Sequence, residues 1–442
     1  MRAKFAAGAA KVKDAVPVGT GSLGIGIALS ALTGYIFVIV TLNSLDTGAK
    51  AAFSAFWAVI FVVGPGFFLP IEQEVGRAIA HRIAIGQGSR PLVVKAFRFG
   101  AVITAVLIVA AIAGAPLLGA EIYDSDQLFT VALCVSLLSF FLLHLTKGVL
   151  AGTGRFRPYG EVLAIDGVIR LTMAIALAAS GVTSAGLFAL CIGLSPLVAL
   201  PIAMRSQRKI LEPGPDAPMR ELSANIGWLL AGSVSMQLLS YSPLLGVNLL
   251  GGEADEVIVA GFASAFFIAR IPVLAFQAVQ GTLLPRLAGL AGQGKHDEFK
   301  SGLQKLLVLV IAVALLGVVG ALLFGPFVGK ILFNDFTMNA GGLSLLAAGS
   351  GVFIIALTMA QALMALGGHR MTAVSWGVGV LVTVAVMASL SDLELRVDLG
   401  FLAGAIAATI MMFVAVYRRR AQMIDLGIGG LVEAIESEPI EI

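Results

Sequence analysis

Twelve apolar stretches, each long enough to cross a lipid bilayer, follow one another along almost the whole chain. The 442 residues are 58% hydrophobic and only 12% charged, whereas a typical soluble domain is roughly 25% charged. Because backbone polar groups must be satisfied internally in lipid, we predict an all-α polytopic membrane protein. The predicted spans are 18–42, 51–71, 99–118, 127–150, 158–180, 182–204, 224–250, 257–284, 303–326, 340–367, 371–390 and 399–417.

The lysine and arginine residues are unevenly distributed between the two sides of these spans. With the N-terminus inside, 24 of the 29 lie in inner loops and tails, and only Lys50, Lys330 and Arg396 lie outside. The positive-inside rule therefore places both termini in the cytoplasm. We expect a multi-pass protein of the bacterial inner (cell) membrane.

A polar segment with three prolines divides the twelve spans into two sets of six. Each half has an even number of spans, so both halves start on the same side and are parallel. The predicted parts are an N-terminal six-helix lobe (1–204), a cytoplasmic linker (205–223), a C-terminal six-helix lobe (224–420) and a cytoplasmic acidic tail (421–442).

Local landmarks indicate that the two halves are repeats. Leu-Pro exits from the second and eighth spans place Pro70 and Pro285 215 residues apart. Each exit is followed by a basic stretch with Gly-Gln-Gly, at 86–88 and 292–294. Transporters built from such parallel repeats bind substrate between the halves and rock one half against the other.

Arg270 lies inside the eighth span, where a cation facing lipid is costly. The sequence offers no acid within one helical turn, and Pro272 leaves the carbonyl of Ile268 without its usual donor. Gln277 and Gln280 extend the polar character along the span. Because a guanidinium matches phosphate oxygens, we predict that these three polar side chains bind an anionic substrate in a polar cavity. The alternative interpretation is that Arg270 pairs with a distant acid or carbonyl and serves only packing.

Arg170 is the second arginine deep in a span, and Asp166 precedes it by one helical turn on the same face. One interpretation is a buried ion pair that only makes the helix insertable. The other is that Arg170 binds substrate while Asp166 tunes it, gates it or carries a coupling proton. Glu161, one further turn toward the cytoplasm, is a second coupling or gating candidate, or it reaches the interface.

Arg155 and Arg157 follow the fourth span and are candidates for the cytoplasmic mouth, where they could meet lipid phosphates. Ordinary topology signals explain them equally well. Isolated polar residues inside spans are expected to be hydrogen-bond partners between helices. They are His144, Gln237, Asn248 and Gln361.

Several kinds of chemistry are missing from the sequence. There is no P-loop pattern for ATP and no Cys/His cluster with metal-ligand spacing, so we expect no metal and no cofactor. Whether a proton or a sodium ion drives the protein stays open. Cys134 and Cys191 lie inside spans and are expected to be small buried hydrophobic residues.

With these features the chain resembles the multidrug/oligosaccharidyl-lipid/polysaccharide exporter (MOP) superfamily over about residues 15–420. The resemblance rests on the 6+6 repeat, the Leu-Pro exits and the Gly-x-Gly-Arg-Phe-Arg-x-Tyr stretch at 152–159. Ala-Arg-Ile-Pro at 269–272 and Leu-Leu-Pro-Arg-Leu at 283–287 are most similar to its polysaccharide-flippase branch.

This resemblance implies two parallel six-helix lobes around a central cavity and a flippase rather than an enzyme. The expected substrate is a polyprenyl-pyrophosphate-linked saccharide moved to the outer leaflet, for cell-surface polysaccharide biosynthesis. Flippase members use cationic residues in the cavity, which matches Arg270 and Arg170 by type. Drug-exporting members carry a carboxylate in the first or seventh span, and neither 18–42 nor 224–250 contains one.

The sequence is also compatible with two other functions. A cation-coupled multidrug antiporter would use Asp166, and a non-transporting scaffold would hold cell-wall synthases together. Expected partners are the lipid-linked saccharide, membrane lipids and glycan-assembly proteins, but no nucleic acid.

Overall fold

The computed structural model describes residues 20–121, 126–207, 210–223, 226–273, 276, 290, 295–334 and 336–437, and no strand occurs in these ranges. Twelve long helices form the described fold, together with a four-residue helix at Arg220–Ser223 and a 3₁₀ turn at Glu253–Asp255. The helices are α1 (Thr20–Ser44), α2 (Thr47–Ala84), α3 (Arg90–Glu121), α4 (Gln127–Gly152), α5 (Phe156–Ala179), α6 (Ala185–Met204), α7 (Ile226–Leu250), α8 (Glu256–Ala269), α9 (His296–Leu332), α10 (Ala340–Ala365), α11 (His369–Ser389) and α12 (Leu393–Ser437).

Eleven helices of the described residues are long and apolar enough to cross a membrane. The predicted all-helical, multi-pass architecture is therefore confirmed. The long helix outside this set is α7, which has 25 residues but carries three amide or phenol side chains, Gln237, Tyr241 and Asn248, besides several serines. Residues 274–284 of the predicted eighth span lie almost wholly outside the described residues.

Short polar side chains begin several of these helices. Asp46 accepts a hydrogen bond from the amide of Ala49 at 2.9 Å, and Asp126 accepts one from Leu128 at 2.8 Å. Such N-caps satisfy amides that have no partner within the helix. Acidic residues that the sequence places in external loops thus fix where α2 and α4 start.

Contacts between residues divide the structure into two compact units. Unit 1 comprises Met1–Gln237, Val247–Ser264 and Lys330–Phe336, and unit 2 comprises Leu238–Gly246, Ala265–Gly329 and Thr337–Ile442. Parts of α7, α8 and α9 therefore belong to unit 1. The predicted lobes at 1–204 and 224–420, which follow sequence order, stay a prediction.

Two helix pairings of unit 1, α4 with α6 and α5 with α6, recur in unit 2 as α10 with α12 and α11 with α12. In unit 1, α4 packs on α6, and α5 packs on both α6 and α1. In unit 2, α10 and α11 both pack on α12. An aromatic cluster fills the core of unit 1, where Trp57 stacks on Phe61 with ring centroids 4.4 Å apart. In unit 2, the Phe353 ring lies 5.4 Å from that of Trp376.

The predicted linker is bound to unit 1. Arg82, at the end of α2, is only 1% exposed and donates to the Glu221 carboxylate at 2.8 Å. The same guanidinium donates to the carbonyls of Gly88, Pro215 and Asp216 at 2.9–3.0 Å. A single buried arginine therefore organises the segment that joins the two halves of the sequence.

Backbone atoms of this linker touch the loop that follows α2. A Cβ on Gly88 would lie 2.0 Å from the carbonyl oxygen of Pro213, and one on Gly214 would lie 2.5 Å from the carbonyl oxygen of Gly88. Only glycine leaves room for two backbones at this distance. Farther along the chain, the predicted tail continues α12 as helix to Ser437.

Candidate functional site

The helix changes its hydrogen bonding at Arg270, in unit 2. Helix α8 ends at Ala269, and the amide of Arg270 donates to the carbonyl of Phe267, three residues back, at 3.3 Å. The amide of Val273 makes the same type of bond to the carbonyl of Arg270 at 3.0 Å. Pro272 has no N–H to continue the α-helical ladder. The predicted helix break beside this arginine is thus present.

Neutral groups on α7 hold the Arg270 guanidinium. Nη1 donates to the carbonyl of Ser240 at 2.5 Å, and Nη2 donates to the hydroxyl of Ser240 at 2.7 Å. Pro243, three residues later, cannot donate to the carbonyl of Leu239. The hydroxyl of Ser242 donates to that carbonyl instead, at 2.8 Å. Serines therefore satisfy the polar groups of this helix around its proline.

Aromatic rings surround the same guanidinium. Its central carbon lies 4.9 Å from the ring centroids of both Tyr241 and Phe266, and 5.9 Å from that of Phe353. Contacts within about 6 Å of a ring centroid are attractive for a cation. Three rings and one serine thus stabilise the cation without cancelling its charge.

No carboxylate of the described residues lies within ion-pair distance of Arg270. The side chain is neither fully buried nor fully exposed. This arrangement leaves a net positive charge that an anion could neutralise. Gln277 and Gln280, predicted to bind alongside Arg270, lie outside the described residues.

Arg170 has different surroundings, in unit 1. It forms an ion pair with Asp166 one turn earlier on α5, and Asp166 is 3% exposed. The other oxygen of Asp166 accepts a hydrogen bond from the hydroxyl of Ser195 on α6 at 2.6 Å. The intrahelical ion pair that the sequence allowed is formed, and both carboxylate oxygens of Asp166 are in use. Its gating or coupling role stays a prediction.

The residues predicted at the cytoplasmic mouth have partners in unit 1. Arg157 donates to Glu161 at 2.9 Å in an exposed pair, one turn apart on α5. Arg155 donates to the side-chain carbonyl of Gln207 at 2.7 Å. The structure thus brings Arg157 and Glu161 together and separates them from the Asp166 pair along the helix. The binding roles of Arg155 and Arg157 and the gating role of Glu161 stay predictions.

A buried network in unit 1 was missed by the sequence analysis. Glu72 on α2 accepts from Lys147 at 2.8 Å and lies 2.6 Å from His144 Nδ1, both on α4. Its second oxygen accepts from the hydroxyl of Tyr159 on α5 at 2.5 Å. We refer to these four residues as the Glu72 network. His144 is an interhelical hydrogen-bond partner, as predicted.

A sequence signal for this network existed. His144 and Lys147 stand three residues apart on one helical face, and Glu72 lies only two residues beyond the Leu-Pro that ends the predicted second span. Taken alone, Lys147 indicates only an inner loop, and Glu72 is only a neighbour of the Leu-Pro landmark at Pro70. The pairing depends on α2 and α4 being neighbours, which no pattern along the chain specifies.

Comparisons with known proteins show what this chain is similar to. No protein-family model matches it. An uncharacterised protein of Mycobacterium tuberculosis is 27% identical over 419 residues, covering 90% of this chain and 91% of that protein. A second uncharacterised protein of that organism is 26% identical over 423 residues, covering 91% of this chain and 93% of its own length.

Solved structures establish the fold. A multidrug resistance MATE family transporter of the MOP superfamily, in its inward-facing conformation, matches with a TM-score of 0.68 at 15% identity, covering 90% of this chain and 96% of that one. An outward-facing conformation of a multidrug resistance MATE family transporter of the MOP superfamily matches with a TM-score of 0.67 at 15% identity. The match covers 91% of this chain and 95% of that one. A Vibrio cholerae MATE transporter matches with a TM-score of 0.64 at 17% identity, covering 90% of this chain and 97% of that one. The chain thus has the two-lobe MATE-like fold.

Proposed function

We propose that this protein is a membrane transporter of the MATE/MOP type that works by alternating access. We further propose that it moves a polyprenyl-pyrophosphate-linked saccharide from the cytoplasmic to the outer leaflet. The shared fold supports the first part, because neighbours with this fold are transporters captured in inward-facing and outward-facing conformations. The chemistry of Arg270 supports the second part.

The observation that carries the proposal is the Arg270 cation held without a carboxylate. A guanidinium that is paired with a carboxylate has its positive charge largely neutralised and attracts an anionic ligand weakly. Arg270 is held by a carbonyl, a hydroxyl and aromatic rings, all neutral, so its positive charge remains available to a ligand. A pyrophosphate presents oxygens at the spacing of the guanidinium fork. The polyprenyl tail of such a substrate would remain in lipid while its charged head enters the protein.

The remaining parts of the proposal follow from the distribution of charge. The excess of lysine and arginine on one side supports cytoplasmic termini in a bacterial inner membrane. Arg155 and Arg157 lie on that side and are proposed to meet lipid phosphates before the substrate enters. Proteins that assemble surface glycans are the proposed partners, since they would supply and consume the lipid-linked saccharide.

The proposal is tested by reconstituting the protein in liposomes that contain a fluorescent polyprenyl-pyrophosphate saccharide. Protection of the head group from an external quencher measures flipping. We expect Arg270→Ala to abolish flipping, and Arg270→Lys to retain part of it, because lysine keeps the charge but loses the fork. Arg98→Ala, an exposed arginine on α3, is the control. Unchanged flipping by Arg270→Ala would overturn the proposed role of this residue.

A multidrug antiporter is the second candidate, and two observations favour it. The structural neighbours include transporters described as multidrug resistance proteins. Asp166 is a buried carboxylate bonded to Arg170 and Ser195, and it could exchange a proton for a drug cation. Increased drug susceptibility of a deletion strain, restored by the normal protein but not by an Asp166→Asn, Arg170→Met double variant that is present at normal yield, would favour this candidate. Unchanged susceptibility together with accumulated glycan-lipid precursor would favour the flippase.

A further inference from the structure

Three side-chain amides in unit 1 join segments that are far apart in sequence. They belong to Asn43, Gln237 and Asn248, and they bind groups on α9, α2 and α2 respectively. All three contacts connect residues of the first two helices with residues 237–334. We refer to these amides and the groups they bind as the amide zipper.

Asn43 binds the end of α9 with both ends of its amide. Its nitrogen donates to the carbonyl of Leu332 at 2.7 Å, and its oxygen accepts from the backbone amide of Asn334 at 3.0 Å. Leu332 is the last residue of α9, so its carbonyl has no donor within the helix. Asn43 therefore supplies the donor that the end of α9 lacks.

Gln237 binds a backbone carbonyl that lies one helical turn before a proline. Pro65 lies inside α2 and has no N–H for the carbonyl of Phe61, four residues earlier. The side-chain amide of Gln237 on α7 donates to this carbonyl at 2.8 Å. The hydroxyl of Ser233, one turn earlier on α7, lies 3.3 Å from the carbonyl of Pro65 itself. The proline thus creates the polar site on α2 that α7 recognises.

Asn248 completes the zipper near the other end of α7. Its amide donates to the hydroxyl of Ser54 at 3.0 Å, and that hydroxyl donates to the carbonyl of Ala51 at 2.8 Å. Ser54 is fully buried. Contacts of α7 with α2 therefore run from Ser233 to Asn248, along most of the length of the helix.

The zipper differs in chemistry from the contacts that hold α2, α4, α5 and α6 together. Those helices share the Glu72 network and the Asp166–Arg170 pair, in which removal of one partner strands a buried charge. The zipper amides are neutral, and neutral hydrogen bonds between membrane helices are individually weak. Separation of the zipper therefore leaves no isolated charge in the protein interior.

We propose that the amide zipper is a reversible gate that runs from the predicted external end of the protein to the middle of its spans. It is closed in this structure and opens when the protein exposes its substrate path to the outside. The proposal rests on alternating access as the proposed function and on the predicted orientation, in which the loop between α1 and α2 is external. Neutral amides give the gate specific pairing at a cost low enough for repeated opening.

Accessibility of a buried cysteine reporter tests the gate without any substrate. Ser54→Cys is introduced after the two free cysteines, Cys134 and Cys191, are replaced by alanine. Labelling by a membrane-impermeant maleimide, added from outside to intact cells, is compared with and without Asn43→Ala and Gln237→Ala together. We expect labelling to become about tenfold faster. Loss of two weak interhelical hydrogen bonds should raise the population of the open gate by about this factor.

A second reporter separates gate opening from unfolding. Ser139→Cys replaces a serine that is equally buried, inside α4, and its labelling should not change. Gln361→Ala is the matched amide control outside the zipper, and it should not accelerate labelling at Ser54→Cys.

Three results would overturn the gate. They are an unchanged rate at Ser54→Cys, equal acceleration at both reporters, and acceleration only when the reagent is added from the cytoplasmic side. Because labelling needs no substrate, a shift in accessibility without saccharide flipping would reject the proposed substrate while keeping the gate.

Discussion

Arg82 and Glu221 form an ion pair across 139 residues of sequence, with Nε of the arginine 2.8 Å from the carboxylate. The pair fixes the segment between the two sequence halves to the end of α2. The three backbone carbonyls that also accept from Arg82 make this attachment specific for a guanidinium, because an ammonium cannot reach all of them in a planar fork.

We predict that Arg82→Gln releases the linker. The change removes the ion pair between Arg82 and Glu221, at a cost of about 3 kcal/mol, the low end for a broken buried pair because Glu221 is 28% exposed. Trypsin should then cleave between residues 205 and 223 far faster than in the normal protein, as read from the fragment masses. Arg98→Gln, on the exposed face of α3, is the control. Equal cleavage rates in Arg82→Gln and the normal protein would contradict the prediction.

A lower pH should also weaken the attachment of the linker, through the ion pair between Asp216 and Lys95. A hydrogen bond from Lys95 holds the pKa of the Asp216 carboxyl below its ordinary value. A carboxyl with a lowered pKa stabilises the bound state above its free pKa, about 3.9, and loses this effect as pH falls through the lowered value. Hydrogen–deuterium exchange of the linker amides should therefore differ between the normal protein and Asp216→Asn at pH 6, and the difference should shrink as the pH is lowered below the free pKa of a carboxyl. A constant difference over this range would show that Asp216 does not act by ionisation.

The Glu72 network should be a major source of stability in unit 1. Glu72→Gln leaves Lys147 buried without a carboxylate, so we expect a loss of about 3–5 kcal/mol and a lower melting temperature in detergent. Glu72→Gln combined with Lys147→Met should recover part of this loss, because no buried charge remains. Glu74→Gln is the control, because its partner Arg77 is 56% exposed. Equal effects of the Glu72 and Glu74 substitutions would show that burial of the network does not matter.

Substitution of the Asp166–Arg170 pair separates a structural role from a coupling role. Each single change, Asp166→Asn or Arg170→Met, removes one partner of a buried pair and should reduce the folded yield. The double variant keeps the Ser195 contact through an amide oxygen and carries no charge, so its yield should recover. If transport recovers as well, the pair is structural. Recovered yield without transport would support a functional role for the pair, either coupling by Asp166 or substrate binding by Arg170.

Ser240 positions Arg270 only in part through its side chain. Ser240→Ala removes the 2.7 Å hydroxyl contact but keeps the carbonyl contact at 2.5 Å, so we expect a modest loss of flipping, about threefold to tenfold. Tyr241→Leu removes one ring from the cation and should cost a similar factor. Complete loss of activity in both variants, at normal yield, would show that these groups contact the substrate themselves.

The sequence predicted the helices well because their signals are local. Apolar stretches and short polar caps lie next to the residues they control, and even the helix break beside Arg270 follows from Pro272, two residues away. The polar character of Gln237 and Asn248 correctly predicted interhelical hydrogen bonds. It did not predict their acceptors, because the carbonyl of Phe61 can accept from α7 only once α2 and α7 are adjacent.

The two arginines illustrate the same limit at the candidate site. Asp166 is one turn from Arg170, so the sequence could offer an ion pair there, and it formed. Arg270 had no local acid, but an acid from a distant helix could have reached it. Its actual surroundings, Ser240 and the rings of Tyr241 and Phe266, depend on how α7 packs against α8. Local patterns identify a buried charge, while tertiary packing decides whether the charge is neutralised.

The backbone contact between Gly88 and Gly214 bears on how the polypeptide could be divided. Because the linker is held there against α2, it would stay with the first six helices if the chain were cut. A break placed after Ser223 would therefore leave the linker bound to α2, whereas a break near Arg205 would strip the linker from its support. Co-expressed fragments with the former boundary are the ones expected to reassemble.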